Sequence, residues 1–370
     1  MKYCKMCVQP DTRPNIRFED GICPACRFAE ANRNEVDFDA RWQELQQIAE
    51  MARASNVSGY DCIIGVSGGK DSTRQALIAR DQLGLKPLLV SCTYPPEQQT
   101  ERGARNLANL ITLGFDCISV SPDPKLWKLL MRESFLRYGN WCKSTEMALY
   151  ASAPIVSIAY HIPVIFLGEN PAITLGELGV GTTGVANASK HSNTLTEGPL
   201  TWGVENLTPQ QLFWYDYPSD EDMEAAAMKI YYLGYYVRDF SRFENARVSV
   251  ENGLEIRHEP PEEIGDYYGF EALDDDFVVM NQMLKHMKFG FGKVTEQVAE
   301  ATRLGMMTRA KAVELVRKFD GRCAERYIQK FCDYLEITLE QFWQTAERFR
   351  NLDIWKKNEQ GQWELKVPLV

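Results

Sequence analysis

Two hydrophobic periods alternate along this chain, and each change of period marks an element. Asp61 to Val66 is a short apolar run, rich in Ile and too short for a helix, so it predicts a strand buried on both faces. Glycines follow at once, and helical spacing takes over from Thr73 to Leu83. The order then recurs: a strand over Pro87 to Thr93 and a helix over Gln98 to Leu113, then a strand over Asp116 to Val120 and a helix over Asp123 to Tyr138. A helix over Ser144 to Tyr160 leads into a fourth strand, Ile162 to Leu167. Such alternation predicts an α/β fold with a parallel sheet covered by helices, and a ligand crevice outside the carboxyl ends of the strands.

The flanks differ. Asp37 to Ala54 sets Phe38, Trp42, Leu45, Ile48 and Met51 on one helical stripe, which predicts a helix docked on the main domain. Val180 to Asp220 is rich in Gly, Thr, Asn and Ser and reads as a long loop system, either covering the substrate or a mobile surface insertion. Met223 to Phe240 reads as a helix carrying the cluster Tyr231, Tyr232, Tyr235 and Tyr236, with Arg238 and Arg242 beside it. Three amphipathic helices close the chain, Thr308 to Phe319, Cys323 to Leu335 and Thr338 to Phe349, the last opened by the capping box Thr338-Leu-Glu-Gln341. The division expected is a ribbon over 1–30, a linking helix over 31–57, an α/β domain over 58–220 and a mostly helical region over 221–370.

Composition narrows the class. The 370 residues exceed one typical domain, and 45% hydrophobic with 25% charged residues is the balance of a globular protein with a sizeable core. No apolar run is long enough for a membrane span and no signal peptide is seen, so the expected location is cytoplasmic. A formal charge of -10 argues against a broad nucleic-acid surface, and no nucleic-acid partner is expected.

Two motifs carry the chemistry. Cys4-Lys-Met-Cys7 and Cys23-Pro-Ala-Cys26 are two knuckles separated by fifteen residues, a spacing that suits one tetrahedral Zn²⁺ held by four thiolates. Four thiolates leave no open position, so this zinc is expected to be structural. Pro10, Pro14 and the Asp20-Gly21 turn predict a ribbon without helices. The second motif is Ser67-Gly68-Gly69-Lys70-Asp71-Ser72 between the first strand and its helix. Gly68 and Gly69 let backbone N–H groups turn toward an anion, Lys70 adds a cation, and Asp71-Ser72 are the expected N-cap, so the loop is a phosphate cradle. It is not a Walker A loop, whose spacing is absent.

Three further places face the expected crevice. Ser91 ends the second strand, Lys143 stands at the start of the fourth-strand helix, and Leu167-Gly168-Glu169-Asn170-Pro171 follows the fourth strand. Lys285, Lys288 and Lys293, beside Gly290 and Gly292, suggest a second basic site for a pyrophosphate or uronate.

The Ser67 to Ser72 loop resembles the PP-loop of the ATP pyrophosphatases, of the adenine nucleotide alpha-hydrolase-like fold. With the cysteine ribbon, Leu167 to Pro171 and Leu284-Lys-His-Met-Lys-Phe-Gly-Phe-Gly-Lys293, nearly the whole chain resembles the N-acetyl sugar amidotransferases of surface-polysaccharide pathways. That resemblance implies an enzyme of lipopolysaccharide O-antigen or nonulosonic-acid synthesis. It would convert an acetamido group on a nucleotide-linked sugar to an acetamidino group, consuming ATP with Mg²⁺. Ammonia would come from a partner glutaminase through a barrel subunit, both resembling those of histidine biosynthesis. The roles implied are ATP binding by Ser67 to Ser72, Ser91, Gly168 and Asn170, catalysis by Lys70, Asp71, Lys143 and Glu169, and substrate binding by Lys285, Lys288 and Lys293. The alternative is a tRNA-thiolating enzyme, which shares ribbon and loop but needs a basic face and, in many cases, paired cysteines where only Cys142 stands. A scaffold with a vestigial loop is disfavoured by the intact Lys70-Asp71 pair.

Overall fold

The computed structural model describes residues 1–177, 181–187, 204 and 206–369. Two helices precede the sheet, α1 (Pro24–Asn34) and α2 (Phe38–Ala54). The first sheet unit is β1 (Cys62–Gly65), α3 (Lys70–Leu77) and a π-helical turn, Ile78–Gln82. Next come β2 (Pro87–Cys92), α4 (Glu101–Thr112), β3 (Asp116–Val120), α5 (Pro124–Tyr138), α6 (Cys142–Tyr160) and β4 (Val164–Leu167). All four expected strands are present within a few residues of their predicted limits. Their ladders are parallel, with Gly65 opposite Val90 and Ile64 opposite Phe166.

One element departs from expectation. After the short helices α7 (Pro171–Thr174), α8 (Pro209–Leu212) and α9 (Asp220–Ala225), Lys229–Tyr232 is not helix but a fifth strand, β5, pairing parallel to β4 with Ile165 opposite Ile230. Only Leu233–Tyr236 behind it is helical, as α10. The aromatic run pairs because β4 offers an open edge and β-branched and aromatic side chains fit a pleated surface. The sheet therefore continues past residue 220 to Tyr232.

Sheet order is β3-β2-β1-β4-β5. The chain leaves β1 toward β2 and β3, then crosses back to β4 and β5, so the strand order reverses between β1 and β4. Ligand crevices open at such a switch point in doubly wound sheets.

The rest is α11 (Arg242–Glu251), α12 (Pro261–Ile264), α13 (Phe277–Phe289), α14 (Lys293–Arg303), α15 (Arg309–Phe319), α16 (Glu325–Leu335) and α17 (Leu339–Arg348), then a hairpin of β6 (Trp355–Lys357) and β7 (Trp363–Leu365). The Thr338 capping box forms as expected. One core lies on each face of the sheet, around Ile64 and Phe166 on one side and Ile63 and Val90 on the other. A third packs α5 against α13, α16 and α17 around Phe135, Phe277 and Phe331. A fourth joins the N-terminal cysteines to Val294, Val298, Ala312 and Phe319 of α14 and α15. Among the described residues, no helix is long and apolar enough to cross a membrane. The loop expected over Val180 to Asp220 falls partly outside the described residues.

Candidate functional site

A crevice of about 370 Å³ opens at the reversal point, lined by the loop after β1 and by Gly168 and Glu169 after β4. Its floor is the start of α3. The N-cap of that helix is Gly69, not Asp71 or Ser72, and no side chain caps it. Asp71 and Ser72 instead lie inside the first turn, where the Ser72 hydroxyl donates back to the Gly69 carbonyl at 3.2 Å. No side chain thus competes for the first N–H groups, which leaves the positive end of the helix to an anion. Gly68 holds φ +77°, and a Cβ there would come within 2.8 Å of the Leu107 backbone nitrogen. Only glycine lets this loop pass so close under α4.

Lys70 is buried, and its ammonium donates to Asp71 Oδ2 at 2.6 Å. Burial alone would push its pKa down, but Asp71 and Glu271 hold it above the ordinary lysine value. Asp71 Oδ1 accepts from Asn245 Nδ2 at 2.9 Å, and the Ser249 hydroxyl donates to the Lys70 carbonyl at 2.8 Å, so α11 clamps the start of α3.

Glu169 stands open to the crevice on a carboxyl pushed up to about 7, first by the surrounding protein and then by Asp71. A carboxyl raised in the folded state binds its proton more tightly there than in the unfolded chain, so it contributes stability at low pH that is lost as pH rises. Glu169→Gln removes that loss. The melting temperature of the variant relative to wild type should therefore climb between pH 4.5 and about 7, as read by thermal denaturation across that range. A constant difference would remove Glu169 from the list of perturbed groups.

Not every expected residue reaches the crevice. Ser67, Gly69, Lys70, Asp71, Ser72, Gly168 and Glu169 line it. Gly68 shapes the loop from behind. Ser91 is buried on β2 and does not line it, because Val90 and Cys92 point that way and a strand alternates its faces. Asn170 is spent on structure: its Nδ2 donates to the Gly181 and Thr183 carbonyls at 2.7 and 2.9 Å, and its Oδ1 caps α7 at Ala172. Lys143, on the first turn of α6, lies outside the crevice lining with its ammonium 4.2 Å from the Tyr138 ring centroid.

A second chamber of about 290 Å³ lies next to the crevice, and Lys70, Asp71, Glu169, Glu271 and Ala272 line both. Of the three lysines near the glycines, only Lys293 lines this chamber, where it meets Glu271 at 2.7 Å. Lys285 is bound to Glu296 at 2.6 Å, with its pKa lowered by burial to about 8, and Lys288 donates to the Tyr138 carbonyl. The three lysines expected to form a basic pyrophosphate or uronate site are not brought together on one chamber: carboxylates hold Lys285 and Lys293, and a backbone carbonyl holds Lys288. Arg242 bridges Glu271 at 2.5 Å and Glu300 at 2.6 Å. Against the penalty of burial, Arg242 and Lys293 hold the Glu271 carboxyl well below the usual range. Sequence reading missed Glu271, Asn245, Glu296 and Glu300. It also missed Gln75 of α3, which lines the crevice with a buried and unpartnered Oε1. The available signals were Lys293, Glu296 and Glu300 on one face of a helix and Arg242 and Asn245 three apart on another.

The ribbon cysteines gather as expected. Their four sulfurs lie within 4.8 Å of one another, with Cys4 to Cys26 at 3.8 Å and Cys7 to Cys23 at 3.7 Å. A tetrahedral Zn²⁺ with bonds of about 2.3 Å sets its thiolates about 3.8 Å apart, so the donor set fits zinc. The ribbon is not free of helix: Cys26 sits in the first turn of α1, because Pro24 is well placed to start a helix. Arg309 of α15 donates to the Cys4 and Cys7 carbonyls, at 3.4 and 3.0 Å.

Fold and site together define an α/β protein with a five-stranded parallel sheet, a crevice at its strand reversal and a tetracysteine cluster that could hold a metal. Residues 240–368, from just before α11 to the end of the terminal hairpin, match the family described as LPS biosynthesis protein WbpG-like, C-terminal domain. The matched region supplies most of the residues lining the charged chamber. No curated protein matches the chain.

Proposed function

We propose that the protein is a PP-loop ATP pyrophosphatase that amidinates an N-acetylated, nucleotide-linked sugar for a lipopolysaccharide O-antigen or related glycan. The observation that carries this is the uncapped start of α3 behind the Ser67–Gly69 loop, floored by the Lys70–Asp71 pair, at the reversal of a parallel sheet. The WbpG-like match of the C-terminal third supports the pathway.

In this reading ATP lies in the crevice with its phosphates on the loop. Mg²⁺ would be held by the carboxylates of Asp71 and Asp274 and supplies charge neutralisation on the phosphates. The amide oxygen of the sugar attacks the α-phosphorus as the bond to pyrophosphate breaks, giving an O-adenylated imidate protonated on nitrogen. Lys70 and the loop N–H groups stabilise the charge spreading over the phosphate. Ammonia then adds to the imidate carbon and AMP leaves with the former amide oxygen. One ammonia proton must depart to yield the amidinium product, and Glu169 takes it. The rate should accordingly rise with pH through an inflection near 7. Ammonia reaches the site from a partner glutaminase and its barrel subunit, since free ammonium is not a nucleophile.

The test supplies purified protein with ATP, Mg²⁺, ammonium salt and a panel of N-acetylated nucleotide sugars. Exchange of oxygen for NH in one sugar, with AMP and pyrophosphate formed, establishes the reaction and names the substrate. AMP formed only when tRNA is added would transfer the protein to the thiolases. Against that outcome stands Cys142, whose thiol is pushed well up by burial and accepts from Asn281 Nδ2 at 3.1 Å, the wrong state for a sulfur nucleophile.

A further inference from the structure

The walls of the second chamber are charged, yet apart from Glu169, which opens on both spaces, their charges are already matched. Glu271 is held by Arg242 and Lys293, Arg242 also holds Glu300, and Glu296 is held from behind by Lys285 and by Arg13, which the ribbon inserts at this point. An anionic guest would have to break one of these buried pairs, leaving its partner uncompensated. Beside Glu169, the unmatched group is neutral. Asn245 is 1% exposed, and its Nδ2 donates to Asp71 Oδ1, which fixes the orientation of the amide because a carboxylate accepts and does not donate. Its Oδ1 therefore faces the other way, and Asn245 is the only residue lining the chamber, among the described residues, whose side chain keeps a buried oxygen or nitrogen without a hydrogen-bond partner. A buried acceptor left unmatched is costly, and native structures rarely keep one without a reason.

Resting on the amidotransferase reading, we propose that this chamber receives the amide end of the acceptor, and that Asn245 Oδ1 accepts its N–H. The placement follows from connectivity. Asn245 holds Asp71, Asp71 holds Lys70, and Lys70 floors the phosphate cradle, so an amide hydrogen-bonded to Asn245 lies beside the nucleotide site with its oxygen free to face it. The size agrees, for about 290 Å³ suits one ring-sized group and not a second nucleotide. The bond to Asn245 also strengthens during the reaction, because attack through oxygen places positive charge on the amide nitrogen and makes its N–H a better donor. Asn245 is thus a specificity residue for secondary amides. An acceptor whose amide nitrogen carries no hydrogen is refused.

The test uses two simple probes that differ only in that hydrogen, N-methylacetamide and N,N-dimethylacetamide. Binding to the full chain is followed by saturation-transfer NMR with a non-cleavable ATP analogue present. N-methylacetamide should bind on the order of tenfold more tightly, and Asn245→Leu should erase the difference while the ATP analogue still binds. Equal binding of both probes, or a preference that survives in N245L, overturns the inference, as does failure of both probes to bind. Should N245L not fold, the probe pair on the wild-type chain decides alone. Because no turnover is required, these outcomes are independent of the amidination assay. A sugar amidinated by a chain that ignores the N–H would remove this role of Asn245 and leave the reaction standing.

Discussion

Replacing Asp71 by alanine is expected to lower ATP turnover by about 10²–10³-fold or more while the chain stays folded. Asp71 is held at one oxygen by Lys70 and at the other by Asn245, so it couples the phosphate cradle to the chamber beside it. Without it, Lys70 keeps the full penalty of burial and loses its nearest anion, so its ammonium is less favoured where phosphate charge has to be met. Asn245 loses its fixed orientation at the same time. The fold should survive, because Asp71 is partly open to the crevice and α3 is anchored by Ala76 and Leu77 in the core below the sheet. Release of AMP and pyrophosphate, measured beside far-ultraviolet circular dichroism, checks both halves. Wild-type turnover in a folded D71A chain would remove the site from this crevice.

Cys23→Ser should act differently, on stability first. A structural zinc contributes folding free energy directly, about 10–16 kcal/mol in isolated finger peptides, and three thiolates hold it far less well than four. The variant should lose stoichiometric zinc by elemental analysis and melt about 10 °C or more below wild type. The loss should not stay local. The four cysteines share one apolar cluster with Val294 and Val298 of α14, the helix that carries Lys293, Glu296 and Glu300 to the chamber. Turnover should therefore fall below what the lost stability alone explains at a temperature where the variant is still folded. Unchanged zinc content would refute the metal assignment, and unchanged turnover would refute the coupling.

What the sequence made legible was whatever is set locally. β1, β2 and β4 show as apolar runs because a strand buried on both faces leaves no polar alternation, and the glycine loop shows because its geometry tolerates few other residues. Cys4 to Cys26 showed because a metal imposes spacing. β5 stayed hidden because four residues, Lys229–Tyr232, carry little pattern, and their pairing comes from β4 more than sixty residues earlier. The N-cap at Gly69 was misread because Asp and Ser are favoured caps wherever they stand, whereas here the helix begins two residues earlier. The chamber was least visible. Asn245, Glu271 and Glu300 come from three separated segments, and nothing at any one of them says that the others lie opposite. For the same reason Lys285, Lys288 and Lys293 looked like a basic site, since the acids that match two of them are brought there only by folding.

A metal held by the four cysteines would also set an order of events during synthesis. Cys4 to Cys26 are translated long before the apolar seat they share, Val294 to Phe319 with Leu369. For most of translation the nascent ribbon can close only on its metal, with its inner face uncovered. Early zinc capture would then keep four thiols from oxidation or mispairing until the seat arrives, and a cell short of zinc would accumulate newly made chains whose ribbon never reaches that seat.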